Sequence, residues 1–257
     1  MGLLEGKRGL VFGVANEWSI AWHVARRCLD EGATVGFPHL PGEKMERRVR
    51  RTLGDLPDPW LFACDVGKDA ELDACFAAAK ERFGTLDFVV HSIAFANRDD
   101  LQRGAFSKTS REGFHLALDV SAYSLVAIAH RAQELMPEGG AIIAMTYLGG
   151  VRVVPGYNVM GVAKAALECS MRYLAFELGP KKVRVNCVSA GPLKTLSSSA
   201  VGGIDEMLGA FAHKAPLGRK IDADEVGKTS VFLLSDLASG VTGETLYVDA
   251  GYHVVGA

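Results

Sequence analysis

The sequence predicts an α/β fold: a single doubly wound domain over residues 1–257, with a parallel seven-stranded sheet and helices on both faces. Short apolar runs alternate with helix-length amphipathic stretches from one end of the chain to the other. Glycines follow several of those stretches, where a left-handed residue ends a helix. No repeat, low-complexity tract or Pro/Ser-rich linker divides the 257 residues, which include only 9 prolines.

Taken in order, the first apolar run is 9–13, followed by a helical stretch at 20–31 and a second run at 34–37. The same unit repeats: helix 43–53, strand 60–64, helix 70–83, strand 86–91, helix 111–136, strand 141–145, helix 157–178, strand 183–188, helix 223–234 and strand 245–248. Runs apolar at nearly every position suit strands covered on both faces, which is the environment of a parallel sheet. Gly32, Gly84, Gly139 and Gly179 stand where helical stretches stop. The least regular piece, 195–203 (TLSSSAVGG), is small, polar and glycine-containing, and reads as a substrate-covering loop reaching to about 210.

Composition narrows the function classes. Lys+Arg 28 against Asp+Glu 30 gives a net charge of −2, so no overall positive field draws phosphate backbones, and nucleic acid is not an expected partner. Hydrophobic residues at 49% and charged residues at 23% fit a folded globular chain. Cys28, Cys64, Cys75, Cys169 and Cys187 are odd in number, scattered and never spaced C-x-x-C, as reduced thiols in a cytoplasm would be. No apolar stretch is long enough to span a bilayer and the start lacks a signal-peptide pattern, so a soluble cytoplasmic protein is expected. The seven histidines show no H-x3-H spacing, and no metal is expected.

Motifs at the strand ends point to a dinucleotide. Gly13 leaves the first strand into a loop that enters a helix at Ser19-Ile20-Ala21. A glycine lets the backbone turn closely under a pyrophosphate, and a helix N-terminus offers free N–H groups to the anion. The full G-x-G-x-x-G is missing, and a plain turn with Ser19 as the helix cap explains the same residues. Leu40 stands just beyond the second strand, where a carboxylate commonly holds the adenosine ribose. Asp65 and Val66 follow the third strand and offer a carboxylate and a main-chain edge to adenine, or simply a turn.

Tyr147, Tyr157 and Lys164 form the strongest constellation. On a helix, seven residues rotate through about 700°, which leaves Tyr157 and Lys164 about 20° apart on one face. An ammonium beside a phenol favours the phenolate and lowers the tyrosine pKa, and it also binds ribose hydroxyls. A proton donor beside a nicotinamide needs that pairing, although a surface lysine near a core tyrosine has the same spacing.

Together, Gly13-x5-Ser19-Ile20-Ala21, His91-Ser92-Ile93-Ala94-Phe95-Ala96, Tyr147, Tyr157-x6-Lys164 and the run Ser189 to Leu196 (SAGPLKTL) resemble the bacterial NADH-dependent enoyl-[acyl-carrier-protein] reductases. These are a divergent branch of the short-chain dehydrogenase/reductase superfamily, with a Rossmann-like fold. Ordinary members of that superfamily place the lysine four residues after the tyrosine, where this chain has Gly161. The resemblance implies reduction of the trans-2 double bond of enoyl-[acyl-carrier-protein], the last reductive step of fatty-acid elongation. It implies NADH as cofactor, with NADPH left open by Leu40, and a homotetramer built through the long helices.

It also implies roles. Tyr157 would hydrogen-bond the thioester carbonyl, Lys164 would hold the nicotinamide ribose, and Tyr147 would line the same pocket. Gly13, Ser19, Ile20, Leu40, Asp65, Val66, Ile93, Leu193, Lys194, Thr195, Leu196 and Ser197 would line the dinucleotide. Ala96 and Met160 would touch substrate, with Phe95, Pro192 and Met207 completing an apolar wall. Lys194, Lys214, Arg219 and Lys220 are the cations available to the acidic carrier protein. A 3-ketoacyl or other carbonyl reductase of the same superfamily is the competing enzyme; a dinucleotide-binding regulator without turnover is the competing class.

Overall fold

A computed structural model describes residues 2–54, 56–195, 209 and 211–256. Its strands are β1 (Arg8–Phe12), β2 (Thr34–His39), β3 (Trp60–Ala63), β4 (Phe88–His91), β5 (Gly140–Thr146), β6 (Val183–Ala190) and β7 (Thr245–Val248). Its helices are α1 (Ile20–Asp30), α2 (Glu43–Leu53), α3 (Asp69–Phe83), α4 (Arg111–Leu118), α5 (Ser124–Ala132), α6 (Val159–Leu178) and α7 (Ala223–Leu234). The strands form one seven-stranded sheet in the order β3-β2-β1-β4-β5-β6-β7, and every neighbouring pair is parallel.

Side chains alternate across each strand, so one sequence feeds two cores. Val11, Phe88, Ile143 and Val188 face one layer with Val24, Ala25 and Val231. Leu10, Phe12, Val89, Ile142 and Val185 face the other with Leu72, Phe76, Ile128 and Leu167. β4 is buried at all four positions, whereas the edge strands β3 and β7 are only partly buried. α1 and α7 pack closely: a Cβ at Gly227 would meet the His23 carbonyl oxygen at 2.8 Å. The Arg27 guanidinium clamps Asp224 across the same contact, its Nη2 donating to Oδ2 at 2.7 Å.

Several boundaries differ from the expectation. The stretch 111–136 is not one α-helix, because a π-helical turn at Asp119–Tyr123 separates α4 from α5. The helix expected from 157 begins at Val159: Asn158 has φ 46° and leaves Tyr157 in the preceding turn. Gly32, Gly84 and Gly139 have positive φ as expected, but Gly179 is helical and Lys182 takes the left-handed position instead, with φ 60°. Between β1 and β4 the chain order reverses, and the crevice beyond the carboxyl ends of those strands is where such sheets bind ligands.

Candidate active site

That crevice holds a cavity of about 530 Å³. Gly13, Ala15, Ser19 and Ile20 line it from the β1–α1 loop; Leu40 and Met45 line it beyond β2. Residues 92–96 and Leu101 contribute beyond β4, Met145, Thr146 and Tyr147 at the end of β5, Tyr157 from the turn before α6, and Met160 and Lys164 from the start of α6. Ala190, the last residue of β6, and Gly191, Pro192, Leu193 and Thr195 beyond it close the far side.

Gly13 has φ +101°, and a Cβ there would meet the Ser92 carbonyl oxygen at 2.1 Å. Backbone therefore approaches backbone where β1 and β4 end, leaving a cradle of main-chain groups in front of α1. The first amides of a helix lack intrahelical partners, so this end fits a pyrophosphate. Ser19 occupies the cap position, but its hydroxyl donates to the Asn16 carbonyl oxygen at 2.6 Å and makes no side-chain cap bond. The expected serine cap is replaced by a hydroxyl that tightens the loop.

At the other end, the rings of Tyr147 and Tyr157 meet edge to face, 4.9 Å between centroids. Lys164 is 5% exposed and its Nζ donates to the Met145 carbonyl oxygen at 2.7 Å. Burial pulls Lys164 down to about 8, and the nearby Cys187 and Glu168 oppose the fall. Burial pushes the Tyr157 phenol well above its ordinary value, with Tyr147 and Glu168 adding to the rise. The phenolate-favouring effect expected of the lysine is thus overturned, because loss of solvent outweighs an ammonium turned toward a carbonyl. Tyr147 is pushed up to about 12 by burial.

Supporting groups fix this end. Thr146 Oγ1 donates to the buried Glu168 at 2.6 Å, one helical turn beyond Lys164. Ser124 Oγ donates to the Val120 carbonyl oxygen at 2.7 Å, so it accepts from His91 Nε2 at 2.8 Å. His91 is then the Nε2–H tautomer, and burial together with the Lys164 charge pushes it down to about 3, keeping it neutral. In the π turn, Ser121 Oγ accepts the Phe95 N–H at 2.9 Å and donates to the Phe95 carbonyl oxygen at 3.1 Å. The loop that presents Ala96 is held at both polar atoms of one residue.

Of the residues expected at the site, Gly13, Ser19, Ile20, Leu40, Ile93, Ala96, Tyr147, Tyr157, Met160, Lys164, Leu193 and Thr195 line this one cavity. Asp65 and Val66, beyond β3, are not among its lining residues. The Asp65 carboxylate accepts the Gly67 N–H at 3.1 Å, and the Asp65 N–H donates to Glu71 at 2.7 Å, which is turn chemistry. Lys194 is exposed and outside the lining; Leu196, Ser197, Met207 and most of the loop at 195–210 lie outside the described residues. Sequence reasoning missed Met45, Leu101 and Thr146. Thr146 was findable as the last residue of a central strand, whereas nothing local marks Leu101. No group of three or more His, Cys, Asp or Glu among the described residues is placed to hold a metal ion.

A doubly wound parallel sheet, a glycine cradle at a helix N-terminus and a buried tyrosine–lysine pair on one cavity define a dinucleotide-dependent reductase of the short-chain type. The family model for Enoyl-(Acyl carrier protein) reductase matches residues 13–253. The chain belongs to that family. An enoyl-[acyl-carrier-protein] reductase [NADH] of Bacillus cereus is 52% identical over 258 residues, covering 100% of both chains. One from Nostoc sp. is 52% identical over 255 residues, covering 98% of both. A Staphylococcus aureus relative, 50% identical over 98% of both chains, is named an enoyl-[acyl-carrier-protein] reductase [NADPH]. The crystal structure of the Bacillus cereus enzyme with NADP+ and indole naphthyridinone superposes with a TM-score of 0.97 at 51% identity, over 100% of both chains.

Proposed function

We propose that this cleft reduces the trans-2 double bond of enoyl thioesters carried on acyl carrier protein, with NADH as donor, in fatty-acid synthesis. The observation that carries the reading is the placement of Tyr157 and Lys164, seven residues apart in the chain, on one cavity wall beside Tyr147 in a chain of this family. A bound NADH supplies a hydride for C3 of the substrate. Tyr157 stays a neutral phenol through the physiological range because burial raises its pKa, so it donates a hydrogen bond to the thioester oxygen as enolate charge develops there. Lys164, mostly an ammonium below pH 8, presents N–H donors to ribose hydroxyls. Tyr147 packs on Tyr157 and fixes its ring. Ala94, Phe95, Ala96, Leu101 and Met160 give the acyl chain an apolar wall.

The carbonyl-reductase alternative needs a lysine at 161. A Cβ at Gly161 would meet the Gly149 carbonyl oxygen at 2.7 Å, so the backbone leaves no room for one. NADH is favoured over NADPH because Leu40 and Met45 line the cleft beyond β2 and, among the described lining residues there, neither is a cation. We also propose a homotetramer in the cytoplasm. Tyr173 and Phe176 on the outer face of α6 are 74% and 86% exposed in a single chain, which supports burial of that face against another copy. No helix among the described residues is long and apolar enough to cross a membrane. Lys194, Lys214 and Lys220 are exposed and supply positive charge suited to an acidic carrier; Arg219 is also exposed and pairs with Glu225 at 2.7 Å.

Oxidation of NADH and NADPH is measured with crotonyl, dodecenoyl and acetoacetyl thioesters. Turnover of the enoyl substrates with NADH preferred is the expected result; preference for acetoacetyl thioester would sink the reading.

A further inference from the structure

Two residues with positive φ flank Tyr157: Gly156 at +83° and Asn158 at +46°. Asn158 has ψ −121°, and the Met160 N–H donates to the Tyr157 carbonyl oxygen at 3.0 Å. Residues 157–160 therefore make a type II′ turn with Asn158 at its first central position. Glycine fills that position without strain; a side chain there is strained and persists only where its surroundings hold it.

The carboxamide supplies that hold. Asn158 Nδ2 donates to the Asp100 carbonyl oxygen at 2.9 Å and to the Gln102 carbonyl oxygen at 2.7 Å, using both of its hydrogens. Those carbonyls bracket Leu101, which is 5% exposed and lines the cleft. Leu101 clusters with Ala117, Val159, Met160 and Ala163, and Ala96 and Tyr157 pack against the same group. One side chain thus joins the turn that carries the phenol to the loop that carries the apolar wall.

We propose that Asn158 is a positioning residue that ties the Tyr157 turn to the 97–102 loop and thereby sets the preference for longer acyl chains. The inference rests on the enoyl-thioester reading of the cleft. Without the tie, the turn survives, but Leu101 is free to leave the wall, and substrates long enough to lie against it lose contacts that short ones never make.

Asn158→Gly tests this cleanly, since glycine relaxes the backbone and removes only the side chain. Asn158→Asp is the second variant: it keeps the shape and the tolerance of positive φ but turns a donor into an acceptor facing two carbonyl oxygens. In both, the ratio of kcat/KM for dodecenoyl over crotonyl thioester should fall about tenfold, chiefly through KM for the long chain. Amide exchange at residues 98–102 should quicken by about tenfold while the central strands stay protected. An unchanged ratio, or an equal kcat loss on both substrates, overturns the proposal and leaves Asn158 as a turn residue. Unaltered exchange overturns the tie itself. If the wild type reduces neither enoyl thioester, the functional reading fails, and the exchange experiment still decides whether the tie exists.

Discussion

The two ends of the cleft are built on different principles. Around β4, β5 and α6, polar side chains are buried and individually partnered: Lys164 on Met145, Thr146 on Glu168, His91 on Ser124 and Ser121 on Phe95. Beyond β2, Leu40 and Met45 offer only shape, and Leu40 is 55% exposed. A group buried in low dielectric acts strongly on a reacting atom and costs much when its partner is lost; an exposed apolar contact does neither. Substitutions at the first end should therefore change rate by orders of magnitude, and those at the second should change preference by small factors.

The largest effect is expected at Tyr157. Tyr157→Phe keeps the ring against Tyr147 and removes only the hydroxyl, so kcat for crotonyl thioester should fall about 10²- to 10³-fold while NADH affinity holds. A loss confined to KM would place the phenol in binding and erase the contrast between the two ends.

Gly13 stands between them. Gly13→Ala adds a methyl against the Ser92 carbonyl oxygen at a φ of +101°, so the β1–α1 loop must shift. We expect dinucleotide affinity to fall more than about tenfold and Tm to drop by roughly 5 °C, read by fluorescence titration and calorimetry. Normal affinity would show that the cradle is not where the pyrophosphate sits.

Lys164 carries a pH dependence that splits activity from stability. Its folded value of about 8 lies below the ordinary 10.5, so between those pH values the unfolded chain holds a proton that the folded chain has released. Stability from this group therefore rises with pH through that window. Lys164→Met lacks the proton, and its stability relative to wild type should decline from pH 8 to 10.5 in denaturant titrations. Over the same range wild-type kcat/KM for NADH should fall as the ammonium is lost, approaching tenfold per unit above about pH 8. A flat profile to pH 10 would mean that the ammonium is not used.

How much of this was legible in the sequence follows the same division. The strands were, because central strands buried on both faces read as unbroken apolar runs, as in FVVH of β4. Residues that line the cleft were legible at Gly13 and Ile93, where motif and strand end coincide, and at Tyr157 and Lys164 through their spacing. Periodicity misplaced Tyr157 inside the helix, since it cannot register one strained residue whose carboxamide bonds a loop more than fifty positions away. The π turn at Asp119–Tyr123 was hidden for the same reason: its Ser121 answers to Phe95, not to its neighbours in sequence. Leu101 became part of the wall only through that tertiary closure, and Asp65 lies beyond β3 in a turn where its Oδ1 accepts the Gly67 N–H and its own N–H donates to Glu71.

The smallest effect should come from Leu40, and it sharpens the comparison most. Among the described residues, the cavity lining beyond β2 is Leu40 and Met45, which include neither a carboxylate for a ribose hydroxyl nor a guanidinium for a 2′-phosphate. On the proposed NADH preference, NADPH would be disfavoured by the absence of a partner for its phosphate and not by repulsion, which is a weak form of discrimination. Leu40→Arg would supply the missing cation at a half-exposed position, where screening limits an ion pair to about 1 kcal/mol. The NADPH/NADH ratio of kcat/KM should rise about fivefold, with kcat on crotonyl thioester held constant. A hundredfold switch would instead mean that the adenosine end is as tightly organised as the chemical end, and that its apolar lining conceals a polar group waiting for the phosphate.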